Sequence, residues 1–345
     1  MKLVAIGINH KTAPVEIREK FSFSTKQTVQ ANRLLKEDAL LAENLILSTC
    51  NRVEIYAVAD HNKDYVDNIK NFLAEFHNLN LSDYQDRIYI YKDKEAVEHL
   101  FKVSAGLDSM VIGEMEILGQ VKRAYQDARE SRTTGKVLNR LFEKAFNTAK
   151  KIRTDTLIGQ GAVSVSSVAV RLAEKILGQL EEKEALIIGT GTVGEQLVLY
   201  LKKNGIKTIL VANRTLERAK SLADKFAVTA ISFEDFKLKL AEVDIVIAST
   251  GAPHCIIHKD DILSLMLKRK QKPLFIIDLA VPRDVEAEVN RIDNVYLYNI
   301  DDLSNLVDEN IKLRRSQFGG CSKIITASAD KFMAWLVNEE ARNEN

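Results

Sequence analysis

At 345 residues, with 46% hydrophobic and 28% charged side chains, the chain is globular and too long for one ordinary core. Lys and Arg number 49 against 48 Asp and Glu, and this net charge of +1 argues against broad nucleic-acid binding while permitting a local basic patch. Three widely spaced cysteines, Cys50, Cys255 and Cys321, imply neither a disulfide framework nor a metal site. The apolar start Met1–Gly7 is one strand long and no run reaches about 18 apolar residues, so a cytoplasmic protein without a membrane segment is expected.

In chain order, Lys2 to Ile8 reads as a strand, Val15 to Phe21 and Thr25 to Lys36 as helices, and Leu45 to Cys50 pairs with Val53 to Ala59. Helix Tyr65 to Phe76, strand Arg87 to Tyr91 and helix Lys94 to Val103 follow. This β-α-β-β-α-β order predicts a ferredoxin-like, split βαβ domain. From Glu116 to about Lys150 the apolar period is helical throughout. Gly159-Gln160-Gly161 breaks the chain before a helix over Val163 to Leu177. Strands at Ala185 to Ile188, Thr208 to Ala212, Val243 to Ala248 and Leu274 to Asp278 then alternate with helices at Gly194 to Lys203, Leu216 to Phe226 and Asp260 to Lys268. That alternation predicts a parallel, doubly wound α/β sheet of Rossmann type. After Asn294 to Tyr298, residues 301–345 read as one long, charged helix, interrupted at Gly319-Gly320. The expected domains are therefore 1–155, 156–300 and 301–345.

Two motifs carry chemistry. Gly189-Thr190-Gly191-Thr192-Val193-Gly194 follows a strand and opens a helix, the setting in which glycines admit a dinucleotide pyrophosphate. At the end of the next strand, Asn213-Arg214-Thr215 offers no carboxylate for a ribose 2′-OH. Arg214 suits a 2′-phosphate instead, so NADPH is expected over NADH. The second motif is Ser48-Thr49-Cys50-Asn51-Arg52, a thiol at a polar break between two strands. Taken alone, Cys50 is either a small buried hydrophobe or a nucleophile whose thiolate Arg52 could stabilise, with His10 or His99 nearby if the fold allows. His99, on a helical pattern, reads equally as a satisfied interior histidine. Cys255, between His254 and His258, reads as part of a loop. Gly106–Glu114 is either a pocket lining or a helix cap.

Taken together, these stretches resemble the glutamyl-tRNA reductase family. The matching text is Gly7–Pro14, Ser48–Glu54, Gly106–Ser109 with Gly113-Glu114, Ile117-Leu118-Gly119-Gln120, Gly161–Val165, the glycine loop and Asn213-Arg214-Thr215, spread over residues 1 to about 335. The resemblance implies a reductase that takes glutamyl-tRNA through a Cys50 thioester to glutamate-1-semialdehyde, the first step of tetrapyrrole synthesis. It assigns glutamyl recognition to Thr49, Asn51, Arg52, Ser109, Glu114 and Gln120, with Glu116 at the same pocket, and an acid/base role to His99. It also implies a glutamate-1-semialdehyde aminomutase as partner. Two departures stand out. Glu114-Met115-Glu116 replaces the family's Glu-Pro-Gln, and the chain ends where the family continues into a dimerisation domain, so a monomer or weak homodimer is expected. Two other readings stay open: a shikimate-dehydrogenase-like NADP oxidoreductase, and a non-catalytic NADPH-binding paralogue.

Overall fold

The computed structural model describes residues 1–37, 41–59, 65–110, 112–114, 116–156, 165–305 and 318–343. The chain divides into two compact units, Met1–Ala162 with Asp308–Asn345, and Val163–Val307.

In the first unit, β1 (Lys2–Asn9) is followed by the single helical turn α1 (Val15–Arg18) and by α2 (Thr25–Glu37). Then come β2 (Leu41–Ser48), β3 (Arg52–Ala59), α3 (Tyr65–Phe76), β4 (Tyr89–Lys92) and α4 (Lys94–Ser104). The strands pair antiparallel in the order β2-β3-β1-β4, the split βαβ arrangement expected from the sequence. Alternation puts Leu3 and Ala5 of β1 on one face and Val4, Ile6 and Ile8 on the other. Both faces are covered, one in the cluster that includes α2 and α3 residues, the other in the cluster of α4 and the helices that follow.

The helical stretch after Glu116 is two helices, α5 (Glu116–Glu130) and α6 (Lys136–Asp155). The single period read from the sequence is thus corrected. Arg132 adopts φ +58°, and Thr133 N–H reaches back to the Ala128 carbonyl, closing α5 in a left-handed cap. The start of α6 is capped from a distance, because Glu43 of β2 accepts the backbone N–H of Val137 (2.9 Å) and Leu138 (2.7 Å). A local signal does mark the break, since the polar run Ser131-Arg132-Thr133-Thr134-Gly135 interrupts the apolar spacing between Ala128 and Val137.

In the second unit, α7 (Val165–Leu177) precedes β5 (Glu184–Ile188), α8 (Thr192–Lys203), β6 (Thr208–Ala212), α9 (Leu216–Phe226) and β7 (Thr229–Ile231). The turn α10 (Phe236–Lys239), β8 (Ile245–Ala248), α11 (Lys259–Lys268), β9 (Leu274–Asp278), β10 (Val295–Asn299) and α12 (Ile300–Asn305) complete it. All six strands are parallel, in the order β10-β9-β8-β5-β6-β7. This is the doubly wound order of a dinucleotide-binding sheet, reversing direction between β5 and β8. The three-residue β7 escapes the sequence pattern because it is too short to show one.

The last helix, α13 (Phe318–Asn343), returns to the first unit. Cys321, Ile325, Ala329, Phe332 and Leu336 recur at helical spacing and join the core formed with α4 and α6. Lys94 pairs with Asp330 at 2.6 Å, and Lys136 with Glu339, along its flank. Gly319 and Gly320 do not interrupt this helix. They occupy its first turn, where backbone N–H groups lack intrahelical partners in any case. Residues 306–317 of the expected long helix, and the motif residues 161–164, lie outside the described residues. Among the described residues no helix is long and apolar enough to cross a membrane.

Candidate active site

Three loops of the first unit build the site. The β2–β3 turn is held by the Thr49 hydroxyl, which accepts the N–H groups of Asn51 and Arg52, both at 3.2 Å. Thr49 therefore shapes the turn that presents Cys50. The Asn51 carbonyl accepts His10 N–H from the loop after β1, and the Cys50 carbonyl accepts Arg18 Nε at 3.2 Å. The third loop, Gly106–Glu114, is closed by Gly113 N–H on the Gly106 carbonyl at 2.8 Å. Both glycines sit at left-handed φ, +73° and +81°, and a Cβ on Gly106 would press on the Glu114 backbone. That closure sets Asp108, Ser109 and Glu114 in place.

Beneath the turn lies a buried polar network on one face of β3. Arg52, 1% exposed, donates to Glu54 at 2.6 Å and to Asp108 Oδ2 at 3.1 Å, and also to the Asp108 carbonyl. Glu54, 0% exposed, further accepts Tyr56 Oη at 2.6 Å and Tyr89 Oη, and its Oε1 meets His99 Nε2 at 2.8 Å. The His99 ring stacks on Tyr91, with centroids 4.5 Å apart. Burial alone would raise the Glu54 carboxyl. The Arg52 and His99 charges and the hydrogen bonds from His99 and Tyr56 outweigh it and hold the group well below the usual carboxylate range. A cavity of about 490 Å³ reaches His99 and Asp108 from the α4 side, past Lys11 and Lys102.

Cys50 is half-buried, and the charges of Glu114, Arg18 and Glu116 act on its thiol. Burial, then the Glu114 carboxyl and more distantly Glu116, push the thiol up to about 12, against the opposing pull of Arg18. The guanidinium acting on Cys50 is thus Arg18, not Arg52, which is committed to Glu54 and Asp108. Among the described residues, no hydrogen bond joins His99 to Cys50. Glu114 is itself pushed up to about 7 by burial and by Glu116, partly offset by the Ser109 hydroxyl and Arg52. Gln120 follows Glu116 one turn along α5, so the two share a helix face. Met115, between the two glutamates, lies outside the described residues.

Several polar atoms here are buried without a hydrogen-bond partner among the described residues: Asn51 Oδ1, Arg52 Nε, Glu116 Oε1 and His10 Nδ1. Such atoms are uncommon in folded proteins, and each calls for an explanation, a bound water, ion or ligand among them. Burial and the Arg52 charge lower His10 to about 4, so its imidazole is neutral at pH 7. Sequence reasoning missed Arg18, Glu54 and the tyrosines as site residues. Glu54 left a signal, because Arg52, Glu54 and Tyr56 alternate along an otherwise apolar strand and so share one face.

In the second unit the glycine loop fits a dinucleotide. A Cβ on Gly189 (φ +113°) would lie 2.5 Å from the Ser249 carbonyl, and one on Gly194 would lie 2.4 Å from that of Gly189. Both glycines are therefore needed for the turn. Gly191, at the N-cap of α8, faces open space, which leaves room for a pyrophosphate at the helix N-terminus beside Thr190, Thr192 and Val193. Gly191→Val should therefore cost little stability yet weaken nicotinamide-dinucleotide binding at least tenfold, whereas Gly189→Ala should lower the melting temperature. Fluorescence titration beside thermal unfolding checks the pair. Past β6, Asn213 bonds the Thr215 carbonyl at 3.0 Å while Arg214 is exposed. Across the crevice, Asp284 accepts Thr250 N–H at 2.7 Å, and Asp278 accepts Ala280 and Val285 N–H. Asp284 thus ties the loop after β8 to the loop after β9, and Asp278 braces the latter. His258 caps α11 in a capping box with Asp261.

The family model described as glutamyl-tRNAGlu reductase, N-terminal domain, matches residues 6–156, and that of shikimate / quinate 5-dehydrogenase matches residues 171–306. The glutamyl-tRNA reductase of Thermodesulfovibrio yellowstonii is 44% identical over 348 residues, spanning 99% of this chain and 81% of the relative. That of Geobacter sulfurreducens is 44% identical over 340 residues, spanning 99% and 78%. The solved glutamyl-tRNA reductase of Methanopyrus kandleri superposes with a TM-score of 0.55 at 38% identity, covering 99% of this chain and 82% of that one. With a buried ionic cradle under a turn-borne thiol, a nucleotide-binding sheet behind it in the chain, and these relatives, the chain belongs to the glutamyl-tRNA reductase family.

Proposed function

We propose that this protein reduces glutamyl-tRNA to glutamate-1-semialdehyde and releases the tRNA, the first step of tetrapyrrole synthesis, with NADPH as reductant. The observation that carries the reading is the setting of Cys50: a half-buried thiol within the electrostatic reach of Glu114, Arg18 and Glu116, in a loop region whose buried polar atoms include several without partners among the described residues. Those atoms match a glutamyl group. Arg52 Nε suits its side-chain carboxylate, and Glu116 with Asn51 Oδ1 suits its ammonium. Ser109 and Gln120 border the same space.

The ester carbon is attacked by Cys50 sulfur while the thiol proton leaves. Glu114, the carboxylate that acts most strongly on the thiol, takes that proton as the sulfur–carbon bond forms. The acyl–oxygen bond breaks, the tRNA hydroxyl departs and a thioester remains on Cys50. A nicotinamide cofactor held at Gly189–Gly194 would supply the hydride that reduces the acyl carbon, and Cys50 sulfur would then leave as thiolate, freeing the aldehyde. Sulfur donates weakly into a carbonyl and leaves readily, so a thioester suits both steps. His99, fixed by Glu54 and Tyr91, serves to orient the network under the site. For the reductant, the absence of a carboxylate after β6 and the exposed Arg214 favour a 2′-phosphate.

The similarity to shikimate / quinate dehydrogenase is confined to residues 171–306, the nucleotide-binding part. The test is anaerobic NADPH oxidation with glutamyl-tRNA, run beside Cys50→Ser. Aldehyde formation in the wild type that falls at least 10³-fold in the variant is expected. NADPH binding without turnover in the wild type would instead indicate a non-catalytic paralogue.

A further inference from the structure

Charge is unevenly spread along the chain. Residues 116–155, which form α5 and α6, hold ten Lys and Arg against five Asp and Glu, in a chain whose total is +1. Between these helices runs an open groove of about 490 Å³, lined by Lys122, Tyr125, Gln126, Arg129, Glu130 and Phe146. Its floor is aromatic: Tyr125 stacks on Phe142 with rings 5° from parallel, and Phe146 meets Tyr125 edge-on. Its rim is cationic, with Lys122 over the Phe146 ring at 5.7 Å and Arg129 over Tyr125 at 5.8 Å. Lys122, Arg123, Gln126 and Arg129 are exposed.

The groove lies on the helix that carries the site. Glu116, a neighbour of Cys50, opens α5, and Lys122 stands about 9 Å further along the axis. The helix surface between them shows Gly119, where a Cβ would meet nothing within 4 Å, and the exposed Arg123. On α5 itself, a side-chain-free position and a cationic side chain thus lie between the groove and the site.

The geometry points to this groove as the docking surface for the single-stranded 3′ end of the tRNA substrate, with a base against the half-buried Phe146, which the buried Tyr125 backs, and phosphates on Lys122, Arg123 and Arg129. Aromatic platforms with basic rims hold unpaired nucleotides through stacking and charge, without reading sequence. The assignment rests on the glutamyl-tRNA reading above. Glu130 moderates the charge and orients Gln126, whose amide it accepts at 2.9 Å.

The test is binding of uncharged glutamate-accepting tRNA to the full chain, followed by fluorescence anisotropy across a salt series. The double variant Lys122→Glu/Arg129→Glu is compared with Lys26→Glu/Arg33→Glu, which removes equal charge from exposed positions of α2. The groove variant should raise Kd at least tenfold and flatten the slope of log Kd against log salt by about 1.4, as expected for two lost contacts to a single strand. The α2 variant should stay within twofold of wild type. Equal weakening by both pairs would mean net charge alone is felt, and no weakening by the groove pair would place the RNA elsewhere. Either result overturns the assignment while the reductase reading stands. A wild type that neither binds this tRNA nor reduces its glutamyl ester would remove both.

Discussion

Glu54→Gln should destabilise the first unit by about 3–5 kcal/mol, the range seen when one partner of a buried ion pair is removed. Glu54 supplies acceptor oxygens to four donors, from Arg52, Tyr56, Tyr89 and His99, with no exposure to water. Glutamine keeps one oxygen and turns an NH₂ group towards donors. It also leaves Arg52 with Asp108 as its remaining carboxylate partner. Urea unfolding followed by near-UV signals from the network tyrosines checks this, and a loss below about 1 kcal/mol would mean that the network is not held as described. The pH dependence has a definite sign. Because the folded-state pKa of Glu54 is depressed, its contribution is present above the unfolded carboxylate value and is lost only as pH falls towards the folded one. Acid unfolding of the wild type should thus be delayed to strong acid, and Glu54→Gln should weaken that dependence. Turnover should fall with stability, since Arg52 and His99 are both positioned through this carboxylate.

Glu114→Gln should move two readouts in opposite directions. After burial itself, the Glu114 carboxylate does most to keep the Cys50 thiol protonated. Removing it lowers the thiol pKa, and each unit of lowering multiplies the thiolate fraction, and so the rate of alkylation by iodoacetamide, about tenfold. Reduction of glutamyl-tRNA should nevertheless fall by about 10²–10⁴, the range for loss of a general base. In the wild type, activity should rise with pH through about 7 as Glu114 ionises, and that limb should vanish in the variant. Alkylation at pH 8, read by mass spectrometry of the Cys50 peptide, separates the roles. A rate unchanged or lowered would show that Glu114 does not face the thiol.

Much of this protein was legible in its sequence where information is local. Strand alternation, helical periods and the glycine loop after β5 predicted both folds, because each depends on residues close together in the chain. The turn bearing Cys50 and the missing carboxylate after β6 were likewise visible as strings. The polar run 131–135 marks the break between α5 and α6, but its capping partner was not legible, since that cap comes from Glu43, far earlier in the chain. Nor was the partner of the thiol. Arg52 stands two residues away but points into the Glu54–Asp108 network, whereas Arg18, 32 residues away, reaches the Cys50 carbonyl. Sequence by itself determined which residue types were present and which secondary elements they would form. Only the tertiary structure decided which charges met, because ion pairing and desolvation act through space, between side chains that the packing of the sheet and helices brings together.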